Sequence, residues 1–168
     1  GVSPVNCTEQ MGIPGAWHNR LPHFRMDFTP SNGEELQSEY FISREYAVEA
    51  IETLFSIGDT IAPHLLTSEI RCIASDELCV SPCYQKGCVA FNFTWKQDWD
   101  AVKGVLQQIE SVLAPFKPIP HSGKLFTMPP QQLQSRYEKL SDFKALVKTY
   151  DPDSKFSNKF LEKHFNLR

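Results

Sequence analysis

The chain has 168 residues, 41% of them hydrophobic and 22% charged, with a formal net charge of −3 at pH 7. That length suits one domain, or one domain with an appendage, and the composition allows a core of useful size. The slight negative charge and the lack of a basic stripe give no electrostatic footing for nucleic acid, and no apolar run approaches the roughly 18 residues needed to cross a bilayer.

The start, Gly1-Val-Ser-Pro-Val-Asn6, has neither a signal-peptide pattern nor an initiator Met, so the chain is expected to be trimmed from a longer one. Five cysteines are present, Cys7, Cys72, Cys79, Cys83 and Cys88. An odd number argues against a full disulfide framework, and the spacing of the last three is not the tight CxxC pairing of zinc sites. The expectation is no metal, free thiols and a cytoplasmic location.

Residues 1–33 read as an extended lead-in, with turns at Gly12–Gly15 and Pro30–Gly33 and large side chains between them (Trp17, His18, His23, Phe24, Phe28). Alternation over Leu36–Ile42 predicts a strand with Gln37, Glu39 and Phe41 on one side. Ser43 is a candidate cap for a helix to about Ile57, ended by Gly58 and Asp59. A second strand, Leu66–Ala74, places Thr67, Glu69, Arg71 and Ile73 on one face and Leu66, Ser68, Ile70 and Cys72 on the other.

The third strand, Cys88–Trp95, sets Val89, Phe91, Phe93 and Trp95 against Ala90, Asn92 and Thr94. Asp98 is placed to cap a helix to about Leu113, with Trp99, Val102, Leu106, Ile109 and Leu113 as its stripe. A short fourth strand is expected over Lys117–His121. Helices over Gln131–Leu140, Ser141–Tyr150 and Asn158–Phe165 complete a tail with few apolar residues per turn.

The order β-α-β-β-α-β is the split βαβ pattern, an α+β fold with an antiparallel sheet, helices on one face and a helical C-terminal segment. The predicted boundaries are a lead-in over 1–33, a sheet-and-helix domain over 34–124 and the tail over 125–168. Parity then gathers Gln37, Glu69, Arg71, Asn92 and Thr94 on the polar face, with Lys124 within reach from the His121-Ser-Gly-Lys124 loop. Carboxylate, guanidinium, amides and hydroxyl together suit a polyhydroxylated ligand, whose every hydroxyl both donates and accepts. The bland alternative is a solvated sheet face with a surface Glu–Arg pair. No HExxH, GxSxG, P-loop or GxGxxG occurs, so motifs alone name no reaction.

Arg20-Leu-Pro-His-Phe-Arg-Met-Asp-Phe-Thr-Pro30 and Glu35-Leu-Gln-Ser-Glu-Tyr-Phe41 resemble the alditol oxidases, flavoproteins of the vanillyl-alcohol-oxidase type related to the aldonolactone oxidases. Ser68–Arg71, Phe93–Trp95, His121–Phe126, Lys139–Phe143 and Asp151–Phe156 continue the resemblance in order along the chain. It implies the substrate-binding cap and C-terminal segment of an FAD-dependent enzyme that oxidises sorbitol or xylitol with O2. The flavin domain would be absent, so the isolated chain is expected to be inactive and to bind no FAD.

The resemblance also implies that Gln37, Glu69, Arg71, Thr94 and Lys124 hold the substrate, with Arg71 and Lys124 next to the reacting hydroxyl. Asn92 is an added member from strand parity, and His121 and Lys124 are the only candidates for touching a cofactor. Two positions depart from the family pattern: Asn92 stands where a His is common and Ser122 where a Trp is common. The alternatives are an aldonolactone oxidase or dehydrogenase of the same superfamily, or a non-enzymatic ferredoxin-like binding module.

Overall fold

The computed structural model describes residues 4–9, 11–28 and 34–167. The chain divides into two units, Gly1–Glu35 and Leu36–Arg168. Among its described residues the first holds single 3-10 turns at Pro4–Asn6 and Trp17–Asn19 and an isolated antiparallel bridge between Cys7 and Phe24. Arg20 organises it: its guanidinium donates to the carbonyls of Ile13, Asn19 and Pro14 at 2.9–3.0 Å and pairs with Glu9 at 3.2 Å. The turn expected from Gly12 forms with Met11 and Gly12 at φ 66° and 73°, while the one expected at Pro30–Gly33 lies outside the described residues.

The second unit holds strands β1 (Leu36–Ser43), β2 (Leu65–Ile73), β3 (Cys88–Trp95) and β4 (Ile119–Pro120). Helices α1 (Ala47–Ser56) and α2 (Gly58–Ile61) follow β1, and α3 (Trp99–Leu113) follows β3. The order β2-β3-β1-β4, antiparallel throughout, is the expected α+β arrangement with helices on one sheet face. Tyr40 and Ile42 of β1 and Val89, Phe91, Phe93 and Trp95 of β3 face α3 residues Val102, Val105, Leu106, Ile109 and Leu113 in one core. The buried Trp95 indole donates to Ser38 Oγ at 3.0 Å, so the polar atoms inside this core satisfy each other.

Several boundaries differ from expectation. Ser43 bonds the Glu45 carboxylate rather than a helix amide, and a 3-10 turn at Arg44–Tyr46 opens α1. Gly58 restarts a short helix instead of ending one. β4 keeps only two residues, because Lys117 is left-handed (φ 52°) and Pro118 and Pro120 carry no N–H to donate. Trp99 sits on the edge of its stripe in the first turn and is 41% exposed, with Val105 taking the inner place. On β2, Leu66 and Ile70 stay more than half exposed: a register shift between Leu65 and Thr67 sets Leu65, not Leu66, against the core, and Ile70 lines an open groove beside the small Ser68.

The tail forms α4 (Pro130–Gln134), α5 (Leu140–Tyr150) and α6 (Lys159–Phe165). The helix expected over Gln131–Leu140 stops at Gln134, where Ser135 Oγ turns back to the Gln132 carbonyl at 2.7 Å. Despite its sparse apolar residues the tail builds a second cluster of Met128, Leu133, Tyr137, Leu140, Phe165 and Leu167 against Ile119 of β4. Burial there pushes the Tyr137 phenol up to about 12. No described helix is long and apolar enough to cross a membrane.

Candidate functional site on the polar sheet face

Strand register builds the site. Asn92 in the middle of β3 lies opposite Glu39 on one side and Glu69 on the other. Gln37 lies opposite Thr94, and Thr94 opposite Thr67. Since alternate residues share a face, these side chains stand on the side away from the core helices, and Arg71 joins them two residues after Glu69.

Lys124 is aimed by the backbone. His121 N donates to Glu39 O at 2.8 Å and Leu125 N to Gln37 O at 2.9 Å, so the intervening loop leaves β1 and returns to it. Lys124 N closes that loop onto His121 O at 3.0 Å. Downstream, Glu110 of α3 clamps the exit by accepting from Thr127 N at 2.7 Å, Thr127 Oγ1 at 2.6 Å and Tyr40 OH at 2.9 Å. Burial, with the Glu110 charge and hydrogen bond acting in the same direction, holds the Tyr40 phenol well above its ordinary pKa.

The ammonium that results from this aiming reaches Glu39 Oε2 and Asn92 Oδ1, each at 2.8 Å. Arg71 donates to the other Glu39 oxygen at 3.4 Å and also pairs with Glu69. Glu39, only 5% exposed, is therefore a carboxylate bridging two cations. Two carboxylates and two cations balance to no net charge.

Of the residues selected from sequence, Glu69, Arg71, Asn92 and Lys124 meet in one connected network. Gln37 and Thr94 share the face, half-buried, and their side chains bond no partner among the described residues, which leaves their polar atoms available. Glu39 was not selected, although parity places it between Gln37 and Phe41. Its partner Lys124 lies 85 positions away, so no local pattern marks it as buried.

His121 stacks on Phe41 at 6.1 Å, and its Nδ1 accepts from Gly123 N at 3.0 Å. A Cβ at Gly123 would meet the His121 ring at 3.1 Å, so this glycine serves the loop's own packing. Among the described residues no group of three or more His, Cys, Asp or Glu converges to hold a metal.

FAD is the cofactor implied by the resemblance. A glycine-rich strand-to-helix turn ending at a free helix N-terminus is one cradle for its pyrophosphate, and the turns into α1 and α3 are not of that kind. The turn from β1 to α1 is Ser43-Arg-Glu-Tyr46, and that from β3 to α3 is Lys96-Gln-Asp98, with the Asp98 carboxylate already on Ala101 N at 3.2 Å.

Fold and network together define an α+β domain with a charge-balanced sheet face rich in donors and acceptors. The chain belongs to the D-arabinono-1,4-lactone oxidase family, which it matches over residues 29–164. It is also similar to an alditol oxidase of Streptomyces sp. (strain IKD472 / FERM P-14339), with 48% identity over 161 residues. That alignment takes in 96% of this chain and 39% of the relative, so the chain spans well under half of the relative's length.

Proposed function

We propose that this chain is the substrate-holding part of an FAD-dependent oxidase that converts a sugar alcohol, such as sorbitol or xylitol, to the aldose while O2 becomes H2O2. The observation that carries this reading is the Glu69–Arg71–Glu39–Lys124–Asn92 network beside the open side chains of Gln37 and Thr94. A charge-balanced face rich in donors and acceptors suits a neutral polyol and gives no surplus cation for a sugar acid. The name of the Streptomyces relative points the same way.

Arg71 and Lys124 would lie against the hydroxyl that reacts, where their charge favours its deprotonation and stabilises the developing alkoxide. Glu69, Gln37 and Thr94 would orient the neighbouring hydroxyls. Asn92 has no proton-accepting nitrogen, so it positions Lys124 and cannot serve as a general base. Flavin chemistry, the acceptance of a hydride from the carbinol carbon, belongs to whatever part of the whole protein holds the cofactor.

The family name favours one second reading, an aldonolactone substrate, with O2 or another electron acceptor. The two separate in a single assay of the full-length flavin-loaded protein: H2O2 release across a panel of alditols and aldonolactones, with an artificial acceptor in parallel. Peroxide from sorbitol or xylitol and little from lactones is the expected outcome. Turnover of lactones alone, or turnover only with the artificial acceptor, selects the second reading.

A further inference from the structure

Strand β2 changes face once along its length. Leu65 lies opposite Trp95 and packs against the core cluster, while Thr67 lies opposite Thr94. Leu66 is thus one residue extra on β2, a β-bulge. Without it, alternation would put Leu65 and Thr67 on the same face. The bulge lets Leu65 stay in the core while Thr67 stands on the polar face, in one column with Glu69 and Arg71.

Thr67 also completes a row across the sheet. Gln37 of β1 lies opposite Thr94 of β3, and Thr94 opposite Thr67 of β2. The next row along the strands is Glu39, Asn92 and Glu69, where the Lys124 ammonium and the Arg71 guanidinium also arrive. Rows two residues apart along a strand are separated by roughly 6.7 Å. Thr67 is exposed, and its hydroxyl bonds no partner among the described residues.

We propose that Thr67 is a specificity-determining residue of the polar face, a hydroxyl that reads the far end of a polyol and so sets chain-length preference. The inference rests on the reading of this face as a polyol site. With C–C bonds of about 1.5 Å, an extended carbon chain advances about 1.3 Å per bond. Three carbons starting at Lys124 and Arg71 therefore cover only about 2.6 Å and stop short of the second row. Six carbons cover about 6.5 Å and bring the terminal hydroxyls level with Thr67, Thr94 and Gln37.

A threonine hydroxyl donates and accepts at one atom, which matches an alcohol that does the same. Thr67 lies a full row away from the cations at the reacting end. Its contact is made equally in the ground state and the transition state, so it acts on substrate binding and not on the chemical step.

The test is steady-state kinetics of the full-length flavin-loaded protein, as wild type, Thr67→Val and Thr67→Ser, across alditols of three to six carbons. Thr67→Val keeps the shape and β-branching and removes the hydroxyl. The quantity read is the ratio of kcat/KM for the longest alditol to that for the shortest one turned over. Thr67→Val should lower this ratio roughly five- to tenfold, as one lost neutral hydrogen bond implies. The loss should appear in KM with Tm unchanged, and Thr67→Ser should restore most of the ratio. An unchanged ratio in Thr67→Val, or a loss equal at every chain length, would overturn the role of Thr67 and leave the polyol reading standing. A wild-type protein that oxidises no alditol sinks that reading, and this inference with it.

Discussion

At the scale of single residues the site depends on Glu39. Its carboxylate is buried, and each oxygen faces a cation, Lys124 at 2.8 Å and Arg71 at 3.4 Å. Glu39→Gln keeps the shape and removes the charge, so two cations then face each other across a neutral amide. Because Arg71 is about half exposed, the cost in stability is moderate, about 2 kcal/mol by denaturant unfolding. Activity of the full-length protein should fall as well, since Lys124 loses the partner that aims it. An unchanged kcat/KM would separate Glu39 from the site.

A second residue-scale prediction concerns the core. Ser38→Ala leaves the buried Trp95 N–H without its acceptor and should cost about 1–3 kcal/mol, read as a lower denaturation midpoint. Both predictions mark what local pattern can carry. Strand parity was enough to put Glu69, Arg71 and Asn92 on one face. It could not rank Glu39 above them, because the burial of Glu39 comes from a loop far along the chain.

At the scale of elements, the sequence pattern carried furthest where a single local signal dominates. β3 has its expected ends, and Asp98 caps α3 as its position suggested. Asp98→Ala should therefore destabilise by about 1 kcal/mol, measured by thermal unfolding. The pattern carried least where prolines and backbone handedness decide, as in β4, or where a serine turned back on its own helix, as after α4.

The last helix makes a pH prediction. His164 of α6 packs against Phe126 and Phe160, and its Nδ1 meets no hydrogen-bond partner among the described residues. Burial, reinforced by the charge of Lys163, pushes the imidazole below its ordinary 6.5. The folded form then takes up a proton less readily than the unfolded chain. Its stability contribution is whole above 6.5 and is lost as pH falls from there toward the lower folded value. Tm should drop on acidification through that window, and His164→Phe should flatten the drop. A wild-type Tm independent of pH there would contradict this account of α6.

At the scale of the whole molecule, apolar surface stands open among the described residues of the second unit. One such surface is the groove between β2 and the α1–α2 turn, with Phe55 and Ile70 exposed. Another runs between α5 and the chain after it, with Leu146, Tyr150 and Phe156 exposed. Apolar area of this kind is characteristic of surfaces that are covered in a larger assembly. The chain spans 39% of its Streptomyces relative, and its turns from β1 to α1 and from β3 to α3 lack the glycine-rich form of a Rossmann-type dinucleotide cradle. Expressed alone, the 168 residues should carry no flavin absorbance and release no peroxide from sorbitol. Flavin co-purifying with them would move the cofactor site into this chain.

The role proposed for the polar sheet face is to hold the reacting hydroxyl through Arg71 and Lys124. Steady-state kinetics of full-length Arg71→Ala and Lys124→Ala on the best alditol test it most directly. The account predicts that each variant stays folded and flavin-loaded while kcat/KM falls by roughly two to four orders of magnitude. Near-normal turnover in both would place the chemistry elsewhere.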